Sequence, residues 1–268
     1  MKTFRKPISI LLTALMLLAC VPVFAFAAGD VTVKLRIEGL DACMYYGDVT
    51  VDTGASVYDV LMKADEKSDD LTVEASVSDY GAYISSINGL AAGSKTDKGW
   101  DGWQYHVNDA DPQIGADRCI VKAGDSIVFF YSDEFGDIGF GYPEITVKDG
   151  KVSLTRTVTT YDENWNTVYV NEAVPAYTLT WGYGKGDTKT FIADENGVCE
   201  IPAYYYTNGE HSVQVEKTAE NGLPLILRYA PDFTVTVEDA DMSFFARFIA
   251  FFQMVFAAIR DFFAGLAK

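Results

Sequence analysis

Hydrophobic and polar positions alternate from Val31 to Ile37 (VTVKLRI), placing Val31, Val33, Leu35 and Ile37 on one side, the period of a half-buried strand. A second short strand is predicted over 48–52. The period then lengthens. In GASVYDVLMKADEKS (54–68), Val57, Val60, Leu61 and Ala64 share one helical face, and Ser56 with Asp59 has capping-box spacing. Short runs rich in β-branched and aromatic residues follow at 71–77, 82–87, 102–108 and 126–131, with turn signals at Asn88-Gly89 and Ala123-Gly124-Asp125 between them. One helix against a small mixed sheet makes residues 28–132 an α+β module.

The stretch 133–143 carries no period and reads as a glycine-rich linker. Its Asp133, Glu134 and Asp137 lack the spacing of an EF-hand loop and read as solvated acids. From 144 to 239 the pattern is strand throughout (KVSLTRTVT, NTVYVNEAV, AYTLTWGY, TKTFIA, HSVQVEK, FTVTVED). Asn196-Gly197, Asn208-Gly209 and Asn221-Gly222 are expected to form hairpin turns. Closely spaced short strands with turn signals predict an all-β immunoglobulin-like sandwich, a fold commonly used as a spacer.

Residues 240–268 change period again. Phe244, Phe248, Phe252, Phe256, Ile259 and Phe263 lie on the apolar side of an amphipathic helix, with Arg247, Gln253, Arg260, Asp261 and Lys268 opposite. Charges divide this helix too often for a membrane span. Two roles fit: lying flat on a membrane surface, or packing on the sandwich or on further copies of the chain.

The N-terminus changes the picture of where the protein works. Lys2, Arg5 and Lys6 precede an apolar run from Ile8 to Phe24, and Ala25-Phe26-Ala27 fits a cleavage site, so residues 1–27 read as a secretory signal peptide. The alternative is lipidation at Cys20, within Leu17-Leu18-Ala19-Cys20. Cleavage after Ala27 moves the formal charge from −17 to −20 by removing those three cations. A chain this acidic has no basic patch for phosphates, which excludes nucleic acid as a partner. Of the cysteines left, Cys43 and Cys119 are the candidate disulfide, with all three reduced as the alternative.

Candidate chemistry concentrates in GWDGWQYHVND (99–109). From Trp103 the strand alternates: Trp103, Tyr105 and Val107 point one way, Gln104, His106 and Asn108 the other. If the first set is core, Trp103 is structural and His106 is a surface imidazole. Trp100 precedes the strand in a Lys/Asp/Gly loop, where nothing obliges it to be buried. With Tyr80 and Tyr83 it would form a flat apolar platform.

VTVKLRIEG, TGASVYDVLMKA, YGAYISSINGL, GWDGWQYHVND and VKAGDSIVFFYS, taken in this order, resemble the C-terminal domain of transcobalamin, a module that recurs in exported proteins of Gram-positive bacteria. The resemblance covers residues 31–132. It rests on Gly102, Trp103, Tyr105, Val107 and Asn108, on Ser86 to Leu90, and on Gly124, Asp125, Ile127 and Tyr131. It implies a small α+β domain that, in vitamin carriers, closes over one face of a corrinoid such as cobalamin, with Trp100, Trp103, Tyr105, Asn108, Tyr80 and Tyr83 as ligand-binding candidates. Those carriers add a large helical barrel, which this chain lacks, and here Asn108 is followed by Asp109 in place of glycine.

Catalytic motifs are missing. The two histidines, His106 and His211, accompany no nucleophile elbow, zinc-protease helix or phosphate loop. The expected function is therefore a secreted or cell-surface, non-catalytic binding protein with no cofactor, whose partner is a planar small ligand such as a corrinoid, or a cell-surface polymer. The alternative is a surface structural or adhesion protein whose C-terminal helix attaches to membrane or self-associates. An enzyme using paired carboxylates is the least favoured reading.

Overall fold

The computed structural model describes residues 29–79, 81–133, 140–164, 166–184, 186–238, 240, 248–249, 251–252 and 255–256. The signal segment, Cys20, Tyr80, the linker acids Glu134 and Asp137, and Phe244, Ile259 and Phe263 lie outside these residues. The described chain is mostly β, arranged in several sheets.

The first sheet has the order β2-β1-β7-β6, built from β1 (Asp30–Glu38), β2 (Cys43–Asp52), β6 (Gly102–Val107) and β7 (Ser126–Ser132). β1 runs parallel to β7, with Leu35 beside Ile127 and Ile37 beside Phe129. β6 is antiparallel to β7, with Trp103 opposite Tyr131 and Tyr105 opposite Phe129. The odd-numbered positions of β1 and β7 therefore form one face. They bury Val33, Leu35, Ile37, Ile127 and Phe129 against Val57, Val60, Leu61 and Ala64 of α1 (Val57–Lys67). α1 starts where its sequence says: Asp59 N–H donates to Ser56 Oγ at 3.2 Å, and Ser56 N–H donates to Asp59 Oδ2 at 2.8 Å. A small sheet of β3 (Val73–Ser78), β4 (Gly81–Ile87) and β5 (Leu90–Ala91) completes this core with Val73, Ile84 and Ile87.

A second core lies between two further sheets. One joins β8 (Gly141–Lys148), β9 (Lys151–Tyr161), β10 (Thr167–Ala173) and β13 (Val198–Glu200); the other has the order β12-β11-β14-β15. In the latter, β11 is Thr178–Tyr183, β12 Asp187–Ile192, β14 Gly209–Glu216 and β15 Thr234–Val237. Val152, Leu154, Leu179, Trp181, Cys199, Val213 and Val215 meet in the middle. Trp181 is sealed in and donates its indole N–H to Tyr205 O at 3.0 Å.

Three expectations are corrected here. Asn196-Gly197 does turn the chain, but it carries it from β12 in one sheet to β13 in the other and makes no hairpin. Gly197 has φ +73, and a Cβ there would lie 2.9 Å from Val174 O, so only glycine fits. The stretch read as linker ends early: Phe140 is buried and β8 begins at Gly141. Cys43 and Cys119 are free thiols. Cys43 opens the ten-residue β2, whereas Cys119 O accepts Val57 N–H just past the far end of that strand. At about 3.3 Å per residue this separation far exceeds disulfide reach.

The other face of the first sheet is covered by the second part of the chain. Val128 and Phe130 are buried with Phe140 and Leu227, and Tyr142 packs beside them. Arg228 ties the two parts together. Its guanidinium donates to Glu38 Oε2 at 2.9 and 3.0 Å, to Gly39 O at 3.0 Å and to Leu40 O at 3.1 Å. In return Arg36 donates to Arg228 O at 2.8 Å.

Candidate functional site

The loop between β5 and β6 positions Trp100. Its ends are clipped by Gly93 N–H donating to Asp101 O at 2.6 Å. Asp101, 2% exposed, then fills the loop with its carboxylate. It accepts Lys95 N–H at 2.8 Å, Thr96 N–H at 2.9 Å and Thr96 Oγ1 at 2.6 Å, and Tyr131 Oη lies 2.5 Å away. Burial opposes the charge on Asp101, but the hydrogen bonds from Thr96 and Tyr131 outweigh it and hold the carboxyl below the usual range. Tyr131 responds in the opposite sense: burial, aided by Asp101, pushes its phenol up to about 12.

Held this way, the indole of Trp100 stands 58% exposed, with Lys98 Nζ 5.2 Å from the ring centroid. Tyr83, on β4 opposite Ser76, is 59% exposed. Among the ligand-platform candidates within the described residues, these two aromatics stand open to solvent.

Trp103 and Tyr105 are half-buried and engaged with their neighbours, and Asn108, though exposed, is bonded into a turn. Trp103 donates its indole N–H to Leu90 O at 3.0 Å and meets Tyr131 edge-on at 5.4 Å. Tyr105 stacks on Phe129 and donates to Ile114 O at 2.6 Å; burial raises its phenol well above the ordinary value. Asn108 sits at φ +53 and braces the turn into β7, donating to Asp125 Oδ1 and accepting Ser126 N–H, both at 2.9 Å. Phe248, Phe252 and Phe256 are exposed on helical residues, and Phe251 lies 6.5 Å from Tyr204 of the second core.

His106 departs from the surface position expected of it. It is 5% exposed, stacked on Tyr142 at 4.7 Å and edge-on to Phe130 at 5.4 Å, with Nε2 2.8 Å from Tyr142 Oη. The sequence carries no local sign of this, because the covering ring comes from β8. Burial depresses the imidazole pKa, against the opposite pull of Asp111 and Asp109. The folded protein thus holds this proton less tightly than the unfolded chain. The stability this contributes is complete above about pH 6.5 and drains away as pH falls below that value. In urea titrations between pH 7.5 and 5, H106F is expected to show a shallower loss of stability than the wild type, by at most about 1.4 kcal/mol per pH unit.

Two clefts flank Arg228. One, about 320 Å³ with its open mouth, is lined by Leu40, Asp41, Glu216, Lys217, Pro224 and Arg228, among others. The other, about 210 Å³, runs between Glu38, Phe130, Phe140 and Leu227. Trp100 lines neither. Among the described residues no cluster of three or more His, Cys, Asp or Glu could hold a metal ion, and no helix is long and apolar enough to cross a membrane.

Residues 54–133 match the family model described as "Domain of unknown function (DUF4430)", a span that includes the Ser86–Leu90, Gly102–Asn108 and Gly124–Tyr131 motifs. Among solved structures, the chain is similar to haptocorrin in complex with Cbi (22% identity, TM-score 0.35). That match covers 39% of this chain and 25% of haptocorrin, so the chain spans a quarter of that protein's length. It is also similar to a suspected metal-binding protein from Ruminococcus gnavus ATCC 29149 (16% identity, TM-score 0.30), over 38% of this chain and 96% of the other. No curated protein matches the chain.

Proposed function

We propose that this chain is an exported, non-catalytic binding protein of the bacterial cell surface, of Gram-positive type. In this reading residues 28–132 form a transcobalamin C-terminal-like module that makes the contact. Residues 144–239 are an immunoglobulin-like spacer, and the helix in 240–268 keeps the protein near the membrane. One observation carries it: Trp100 is an open indole on a loop whose shape is fixed by a buried carboxylate. A tryptophan held rigid in water offers contact area with little entropy left to lose on binding.

Its partner is flat: a planar small ligand, with a corrinoid as the first to try, or the sugar rings of a cell-surface polymer. The test measures both. Equilibrium dialysis against cobinamide and pelleting with purified peptidoglycan are each run with the wild type and W100A. Binding in one arm, weakened about thirtyfold in W100A, is the expected result, since truncating a central tryptophan typically costs about 2 kcal/mol. W100A should keep the wild-type Tm, because the side chain is open to water. No binding in either arm, or binding that W100A retains, removes Trp100 from the function.

A second reading is favoured by Phe248, Phe252 and Phe256, exposed one helical turn apart. Here the protein is a surface structural or adhesion component, and its last helix docks on lipid or on another copy.

A further inference from the structure

Among the described residues β10 is an edge without a guard. Its seven residues, TVYVNEA, are exposed without exception, and among the described residues its strand partner is β9 alone. The pairing with β9 runs from Thr167–Tyr161 to Ala173–Thr155 with no bulge. The outward edge holds no lysine and no proline, and Val168, Tyr169 and Val170 stand open, Tyr169 at 69%. Proteins normally protect such edges with charge, proline or a bulge. The edge of the opposite sheet shows the contrast: β12 carries Asp187 and Lys189.

An edge strand with free N–H and C=O groups is completed by another strand. Charge selects which one. The chain has 38 acidic against 21 basic residues, so most of its surface repels a copy of itself. Within β10 the one acid, Glu172, is bound by Arg156 at 2.6 and 2.8 Å, and the neighbouring Glu144 accepts from Asn171 Nδ2 at 3.4 Å, so the strand itself adds no unpaired charge to the pairing. Turned antiparallel about Tyr169, two β10 strands place Tyr169 opposite Tyr169, Val168 opposite Val170 and Thr167 opposite Asn171. Every pair is apolar or uncharged, as cross-strand neighbours prefer. We infer that β10 is a docking edge for a second copy of this chain, paired antiparallel about Tyr169.

One strand pair buries less than the roughly 1,200 Å² of a stable interface, so the dimer is weak, with a dissociation constant on the order of tens of micromolar. Sedimentation equilibrium of the full mature chain is the test. The wild type should dimerise more strongly as salt is raised to about 0.5 M, since salt screens the repulsion between acidic bodies. Y169K sets two ammonium groups face to face and should weaken the dimer at least about tenfold while leaving circular dichroism unchanged. I192K, on β12, should leave it intact. Y169C should cross-link to itself under mild oxidation, fixing the register without relying on a loss. A monomeric wild type at about 100 µM, an unaffected Y169K, or a dimer abolished by F252D on the last helix would each overturn the assignment.

Discussion

R228M is expected to lose about 3–5 kcal/mol of unfolding free energy, and its calorimetric transition should broaden or split in two. Glu38 is 3% exposed, and two of the donors on its Oε2 come from Arg228. Arg36 approaches the other oxygen at 3.7 Å and cannot replace them. Without Arg228 a carboxylate stays buried with little to balance it, and Gly39 O and Leu40 O lose their donor as well. Removing Glu38 and Arg228 together, as in E38L/R228M, should recover the part of that loss due to the unbalanced carboxylate, because an apolar pair of similar volume is often as stable as a buried ion pair, while Gly39 O and Leu40 O stay without their donor. Recovery would show that the clamp gives alignment rather than net stability. Equal damage in the single and double variants would show that it gives both.

D101A is the second large effect, about 3 kcal/mol by urea unfolding. The substitution leaves Lys95 N–H, Thr96 N–H and the Tyr131 hydroxyl facing a side chain that cannot accept. The loop carrying Trp100 loses its filling, so tryptophan emission should change together with stability. D101N keeps one acceptor oxygen and should fall between D101A and the wild type. An unchanged unfolding midpoint for D101A would mean that the two loop ends, joined through Gly93 and Asp101 O, hold the loop unaided.

These two residues also show where the sequence stops being informative. α1 was legible because its evidence is local: a 3.6-residue apolar spacing and a cap three residues from its partner. The strands were legible for the same reason, down to Trp103, Tyr105 and Val107 sharing a side. Alternation states which side chains go together but not what lies above them. Arg36 and Glu38 alternate with Leu35 and Ile37 as a solvated face would, yet what meets them is Arg228, some 190 residues away. His106 was misread in the same manner, since its cover arrives on β8. Asp101 was hidden differently. Flanked by glycines and tryptophans it resembled loop polarity, and its distant partner, Tyr131, emerges only once β6 and β7 are paired. Trp100 needed no such knowledge, because an aromatic without a period to join is left outside by default.

The sheet formed by β2, β1, β7 and β6 is greasy on both sides, and its second coat comes from Phe140, Tyr142 and Leu227. A gene segment stopping at Ser132 would therefore encode a body with one unfinished wall. Recombination that transplants this unit has to bring along a lid for Val128 and Phe130, or find one in its new host.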